Sequence, residues 1–164
     1  MLFKVEELSP NSRVWIYQAN RKLTADEIQY LEEFLGREME EWSAHGAALK
    51  AGFEIRYNQI IALFADEGQH AASGCSIDSS TRWFKDLGQK MEIDFFDRSI
   101  AIVQNDTLQL FSMLAGKKEV ESGNIQSDSL VATPQVPNLE FYQNKWPELA
   151  KDSWLKKYFQ SVNA

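Results

Sequence analysis

The 164-residue sequence is poor in the side chains that most often cross-link a protein or carry catalysis. It has one cysteine and two histidines, so an intramolecular disulfide is impossible. Its first residues, MLFKVEELSPNS, contain acids and a proline where a signal peptide would need a long apolar run. These features predict a cytoplasmic protein.

Long hydrophobic runs and a positive charge excess are also missing. The longest apolar run is IIALFA, residues 60–65, whereas a membrane-spanning helix needs roughly 20 apolar residues. The formal net charge of −7 repels phosphate backbones and anionic lipid surfaces at long range. We therefore expect neither a membrane nor a nucleic acid as partner.

Known cofactor motifs are absent from the sequence. It contains no G-x-x-x-x-G-K-[ST], no G-x-G-x-x-G and no H-E-x-x-H. Gly116 is followed by Lys117, but no glycine stands five residues before it and no hydroxyl residue follows Lys117. A Walker-type phosphate loop is excluded, and we expect no cofactor.

Six segments in the first two thirds of the chain have the hydrophobic periodicity of strands or helices. In order, they are a strand at 13–19, a helix from Thr24 to Gly46, strands at 51–57 and 60–65, a helix at 76–90 and a strand at 99–103. Thr24 and Glu27 form a capping box at the first helix. The unbroken apolar run at 60–65 predicts a strand covered on both faces. This order predicts an α+β fold, a ferredoxin-like β-α-β-β-α-β sandwich with both helices on one face of an antiparallel sheet.

The rest of the chain predicts an α-rich C-terminal extension, residues 105–164, on a core of residues 12–104 within one domain. Asn105 or Asp106 is placed to cap a helix running to Val120, and a strand at 107–113 is the alternative. Residues 130–132 suit an edge strand, and 139–146 and 153–159 suit short helices whose aromatic side chains seal one end of the core.

The most chemically distinctive stretch is DEGQHAASGCSIDSSTR, residues 66–82. A connection of about ten residues between strand and helix is longer than usual, and such loops often carry function. Its helix start offers backbone amides and small polar side chains for binding, at Gly74, Ser76, Asp78, Ser79 and Ser80. The alternative is ordinary helix capping by the same serine and aspartate residues.

The single cysteine supports a catalytic hypothesis. Cys75 lies at the same helix start, where the helix dipole lowers a thiol pKa, and His70 or His45 would serve as base. The alternative is a buried, inert thiol. His45, His70 and Cys75 are also allowed zinc ligands, but their spacing matches no recognised zinc pattern, so we predict no metal site.

The segments RVWIYQANRKLT, EEWSAHGAALKAGFEIRYNQ and ASGCSIDSSTR resemble a family of short bacterial proteins without an established activity, often labelled ABC transporter ATPase. The resemblance covers most of the chain and implies no catalytic residue. The label would require a phosphate-binding loop that the sequence lacks, so transporter ATPase activity is excluded.

Together these features favour a non-enzymatic α+β domain that binds a small molecule or a protein partner at the helix start, residues 74–80. A cysteine-dependent hydrolase or acyl transferase using Cys75 is one alternative. A structural module that oligomerises through a sheet edge or its aromatic C-terminal segment is another, and the oligomeric state stays open.

Overall fold

The computed structural model describes residues 1–44, 47–66 and 74–162, and side chains throughout these ranges except at 43, 44, 47, 74–78, 161 and 162. The described residues form a mixed α+β fold. Its strands are β1 (Arg13–Gln18), β2 (Ser43–Ala44), β3 (Ala47–Ala48), β4 (Lys50–Arg56), β5 (Ile60–Asp66), β6 (Ile100–Gln104), β7 (Thr107–Phe111), β8 (Leu130–Val131) and β9 (Glu148–Leu149). Its helices are α1 (Ala25–Glu41), α2 (Gly74–Met91), α3 (Gly116–Glu121), α4 (Leu139–Asn144) and α5 (Lys156–Val162).

The longer strands divide between two sheets. One has three strands in the order β1-β5-β4, and the other has four in the order β7-β6-β8-β9. Neighbouring strands are antiparallel in both sheets. The short strands β2 and β3 form a separate hairpin.

The ferredoxin-like arrangement is not confirmed, because the last strand of that pattern, β6, lies in the second sheet. Asn105 and Asp106 both have positive φ angles, 51° and 61°, and form a tight turn that pairs β6 with β7. Two consecutive residues with positive φ are typical of a type I′ hairpin. These residues therefore close a hairpin. The strand alternative is correct for Thr107–Phe111, while helical turns begin at Met113 and continue into α3.

Strand β5 is covered on both faces, as its unbroken apolar run predicts. Residues 60–65 are fully buried. Ile61, Leu63 and Ala65 pack in one cluster with side chains of α1 and α2. Ile60, Ala62 and Phe64 pack in a second cluster on the other face, against residues 132–146.

Helix α1 begins as the sequence predicts and ends earlier. Thr24 accepts a hydrogen bond from the Glu27 amide, and the Glu27 carboxylate accepts one from the Thr24 amide, which confirms the capping box. The predicted end at Gly46 is wrong, since the helix stops at Glu41 and Trp42 is extended. The Trp42 ring packs edge-on against Trp15 and Trp83, at centroid distances of 5.9 Å and 5.4 Å. The Trp42 ring is therefore packed in the core directly after the last residue of the helix.

The C-terminal third contributes strands as well as short helices. Helices α4 and α5 correspond to the predicted helices at 139–146 and 153–159. Strand β8 lies between β6 and β9 and is therefore not the edge strand predicted at 130–132. Tyr142 and Trp146 are buried in the second core cluster. These aromatic side chains thus cover the sheet face opposite α1 and α2.

Two helical glycines should respond in opposite ways to substitution by alanine. A Cβ atom at Gly36 in α1 would meet nothing within 4 Å, so Gly36→Ala should stabilise the protein by about 0.5–1 kcal/mol through helix propensity. A Cβ at Gly88 in α2 would lie 2.6 Å from the Ile93 carbonyl oxygen. Overpacking costs about 1–3 kcal/mol, and the propensity gain offsets part of it, so Gly88→Ala should lose about 1 kcal/mol.

Urea unfolding of the two variants measures both effects on the same scale. A Gly88→Ala protein as stable as Gly36→Ala would contradict the close packing of α2 against the segment that follows it.

Candidate functional site

Most of the residues singled out by sequence lie outside the described side chains. His45 and His70 fall in the ranges that the structure does not describe. Helix α2 begins at Gly74, which places the backbone of Cys75, Ser76 and Asp78 in its first turns, while their side chains are outside the description. The thiol hypothesis and the helix-start hypothesis stay predictions at these positions.

Ser80 does not belong to a solvent-facing surface, which corrects the prediction for this residue. It is fully buried, and its hydroxyl lies 3.0 Å from the Tyr17 hydroxyl. The Tyr17 ring stacks on Phe84 at a centroid distance of 4.0 Å. Ser79 beside it is half-buried. The Ser80 hydroxyl therefore joins α2 to β1 inside the core.

A cleft opens where the two sheets meet. Its volume is about 710 Å³, and its lining comes from residues 16–18, 95–101 and 131–135 together with Met113 and Trp154. Strand β1 contributes one side, while β6 and β8 contribute the other. Strand β5 belongs to the first sheet and β6 to the second. Residues 95–99 lead into β6 and span the gap between the two sheets, and the cleft lies at this gap.

The first wall is held by Gln18 at the end of β1. Its backbone amide donates to the Phe95 carbonyl and its carbonyl accepts from the Asp97 amide, both at 3.1 Å. Its side-chain Nε2 donates to Asp97 Oδ2 and to the Ser99 carbonyl, both at 3.0 Å. Gln18 is buried. One glutamine thus fixes the connection with four hydrogen bonds.

The second wall is held by backbone contacts and by an indole. The Ala132 amide donates to the Ala101 carbonyl at 2.9 Å, which continues the pairing of β8 with β6. Trp146 Nε1 donates to the Thr133 carbonyl at 2.9 Å. Because both walls are hydrogen-bonded to the core, the cleft is formed before any ligand enters.

The cleft combines apolar surface with a few polar groups. Ile16, Phe96, Met113 and Trp154 supply large apolar side chains to its lining. The Phe96 ring is exposed on one side and packs edge-on against Tyr17, with the ring centroids 5.7 Å apart.

Asp97 and Arg98 are the charged residues of the lining. Asp97 Oδ1 accepts a hydrogen bond from the Ser99 hydroxyl at 3.0 Å, so with Gln18 both of its oxygens are engaged. Arg98 is exposed and, within the described part of the chain, makes no hydrogen bond and no ion pair. The Thr133 hydroxyl donates to Glu148 Oε2 at 3.3 Å, and burial raises the pKa of that carboxyl above its usual range.

A second polar cluster stabilises the sheet face covered by α4. Tyr142 donates from its hydroxyl to Glu54 Oε1 at 2.7 Å, and Arg56 donates to the same hydroxyl at 3.4 Å. Burial, followed by the hydrogen bond to Glu54, raises the pKa of Tyr142 well above its ordinary value. The Arg56 guanidinium also lies over the Tyr57, Tyr142 and Trp146 rings. The guanidinium donates to the Tyr142 and Tyr57 hydroxyls, and the contacts with Tyr142 join β4 to α4.

The sequence did not point to the cleft. Two local features of the sequence mark residues of the cleft. One is Gln18, an amide side chain directly after the apolar run VWIY, and the other is the pair Asp97 and Ser99 directly after two phenylalanines. Neither pattern shows that the two stretches meet, because Gln18 and Asp97 are 79 positions apart in the sequence.

Comparisons with family models, with curated proteins and with solved structures find no match to this chain. The resemblance to the bacterial family therefore stays a prediction. None of the helices in the described ranges is both long and apolar enough to cross a membrane. Nor does any group of three or more His, Cys, Asp or Glu residues among those ranges have an arrangement that could hold a metal ion.

Proposed function

We propose that this chain is a non-enzymatic binding domain that holds a small molecule in the cleft between its two sheets. The observation that carries the proposal is the cleft itself, about 710 Å³ in volume. Small-molecule sites in proteins occupy about 300–1,000 Å³ and combine an apolar lining with a few polar groups that orient the ligand. The cleft has this size and this composition.

The rigidity of the walls supports binding over a purely structural role. Three hydrogen bonds that Gln18 donates and one that it accepts hold one wall, and the pairing of Ala132 with Ala101 holds the other. A site that is already formed loses little conformational entropy when a ligand enters, so more of the contact energy appears as affinity.

The negative net charge supports a small molecule over a nucleic acid as the partner, because a chain with 24 acidic and 17 basic residues repels phosphate backbones. The cytoplasmic location that the sequence predicts is part of the same proposal. This proposal places the contact surface at the cleft instead of at residues 74–80.

A fluorescent apolar probe tests the site. Phenylnaphthylamine, which is neutral, should bind the protein with an increase in its fluorescence. Met113→Asp should weaken that binding about tenfold or more, because it removes an apolar lining side chain whose burial is worth about 1.5–3 kcal/mol. The measurement is a fluorescence titration of the folded proteins.

The neighbouring Leu114 provides the matched control. It is equally apolar and 97% exposed, against 48% for Met113, and does not line the cleft. Leu114→Asp should therefore leave the probe affinity within about twofold of the parent, a ΔΔG below about 0.4 kcal/mol. Equal losses in both variants, or no probe binding to the parent, would contradict the proposed site.

A further inference from the structure

We infer that the cleft takes an apolar molecule carrying one small oxyanion such as a carboxylate, with Arg98 as the residue that binds the anion. This inference rests on the proposed function. It adds the chemical class of the ligand. Of the two charged side chains in the lining, Asp97 is hydrogen-bonded within the protein, and Arg98, among the described residues, is not.

Asp97 is engaged within the protein. Its two carboxylate oxygens accept hydrogen bonds from Gln18 Nε2 and from the Ser99 hydroxyl. These contacts hold residues 95–99, which lead into β6, against the end of β1. Asp97 therefore has a structural role.

Arg98, the next residue, is in the opposite situation. Its guanidinium has five N–H donors and makes neither a hydrogen bond nor an ion pair inside the described ranges. A planar guanidinium matches the two oxygens of a carboxylate and can bind both at once. The complement of this guanidinium is therefore an acceptor group with negative charge.

The apolar side chains define the rest of the ligand. Phe96, Met113 and Trp154 line the same cleft and present aromatic and thioether surface. Elsewhere the acidic surface repels anions, since the chain carries a net charge of −7. An anion thus gains at Arg98 only when its apolar part is held in the cleft, which selects amphipathic anions over free inorganic ones.

Two probes with one skeleton test the inference. Anilinonaphthalene sulfonate is phenylnaphthylamine with an added sulfonate, so the ratio of their affinities measures the contribution of the anion. The parent protein should bind the sulfonate about two- to fivefold more tightly than the neutral probe, the upper part of the range for a charge pair at a partly exposed site. In Arg98→Gln the ratio should fall to about one. Arg37→Gln, which removes the same charge from an exposed position on α1, should keep the parent ratio.

The possible results distinguish the anion inference from the proposed function on which it rests. Binding of both probes with a ratio near one in the parent, or with a ratio that Arg98→Gln leaves unchanged, overturns the anion inference alone. If the affinity ratio fell to about one in Arg37→Gln as well as in Arg98→Gln, the preference for the sulfonate would arise from net charge. That result would also overturn the anion inference. Failure of both probes to bind the parent overturns the proposed function and the inference together.

Discussion

Replacing Phe64 with alanine should lower the free energy of unfolding by about 3–5 kcal/mol, the usual cost of removing a fully buried phenylalanine. Phe64 is fully buried in the central strand, on the face that packs against residues 132–146. Its ring meets Tyr142 edge-on, with the ring centroids 4.9 Å apart. The loss comes from the removed apolar surface and from the cavity left between the sheet and α4. Urea unfolding measures it.

Phe84→Ala is the matched variant on the other face of the same sheet. Phe84 is also fully buried, but it belongs to α2 and packs in the first core cluster. The two variants should lose similar stability, because both faces are covered. In a two-layer sandwich with helices on one face only, Phe64 would lie on the open face. A loss below about 1 kcal/mol for Phe64→Ala beside a large loss for Phe84→Ala would therefore contradict the observed fold.

Arg56→Ala should lower the free energy of unfolding by about 2 kcal/mol. The guanidinium carbon lies 5.2 Å, 5.7 Å and 5.4 Å from the centres of the Tyr57, Tyr142 and Trp146 rings. A cation over an aromatic face contributes about 0.5–1 kcal/mol when partly exposed, and the alanine variant also loses the hydrogen bonds to Tyr57 and Tyr142. The contributions do not add fully because the three rings share one cation.

Arg56→Lys separates the charge from the shape of the side chain. Lysine keeps the positive charge but lacks the planar fork that donates to two hydroxyls, so about half of the loss, roughly 1 kcal/mol, should remain. Thermal or urea unfolding of both variants provides the comparison. Equal stability of Arg56→Ala and the parent would show that the ring and hydroxyl contacts at this position contribute nothing to the fold.

Local patterns predicted the elements that depend on local chemistry. The Thr24 and Glu27 capping box, the apolar stripe of α1 and the doubly covered strand β5 all follow from spacing and residue type. The α+β class follows from the same patterns. Elements whose periodicity agrees with their environment are the ones that a single sequence specifies best.

The arrangement of the sheets could not be predicted in the same way. Asn105 and Asp106 are suited both to a helix N-cap and to a type I′ turn, and the local sequence does not decide between them. The structure forms the turn, so β6 pairs with β7 and the second sheet begins there. The conformation of these two residues therefore decides whether β6 gains β7 as its hairpin partner in the second sheet.

The surroundings of Ser80 were misjudged for a related reason. Ser80 lies four residues before Phe84, on the buried face of α2, and this spacing would have shown it to be internal. The cleft depends on Gln18 meeting Asp97 and Ser99 across the junction of the sheets. Contacts between residues this far apart produce no periodic pattern in the sequence. They can be recognised only when the positions of the strands in the fold are known.

The most direct measurement of the proposed binding site is a titration of the isotope-labelled protein with phenylnaphthylamine, followed by the backbone amide signals in nuclear magnetic resonance. The amides that shift should cluster at 16–18, 95–101 and 131–135, the stretches that line the cleft, except at Pro134, which has no amide hydrogen. Amides on the outer face of α1 should stay in place. Shifts confined to other parts of the chain, or no shifts at saturating probe, would contradict the proposed binding site.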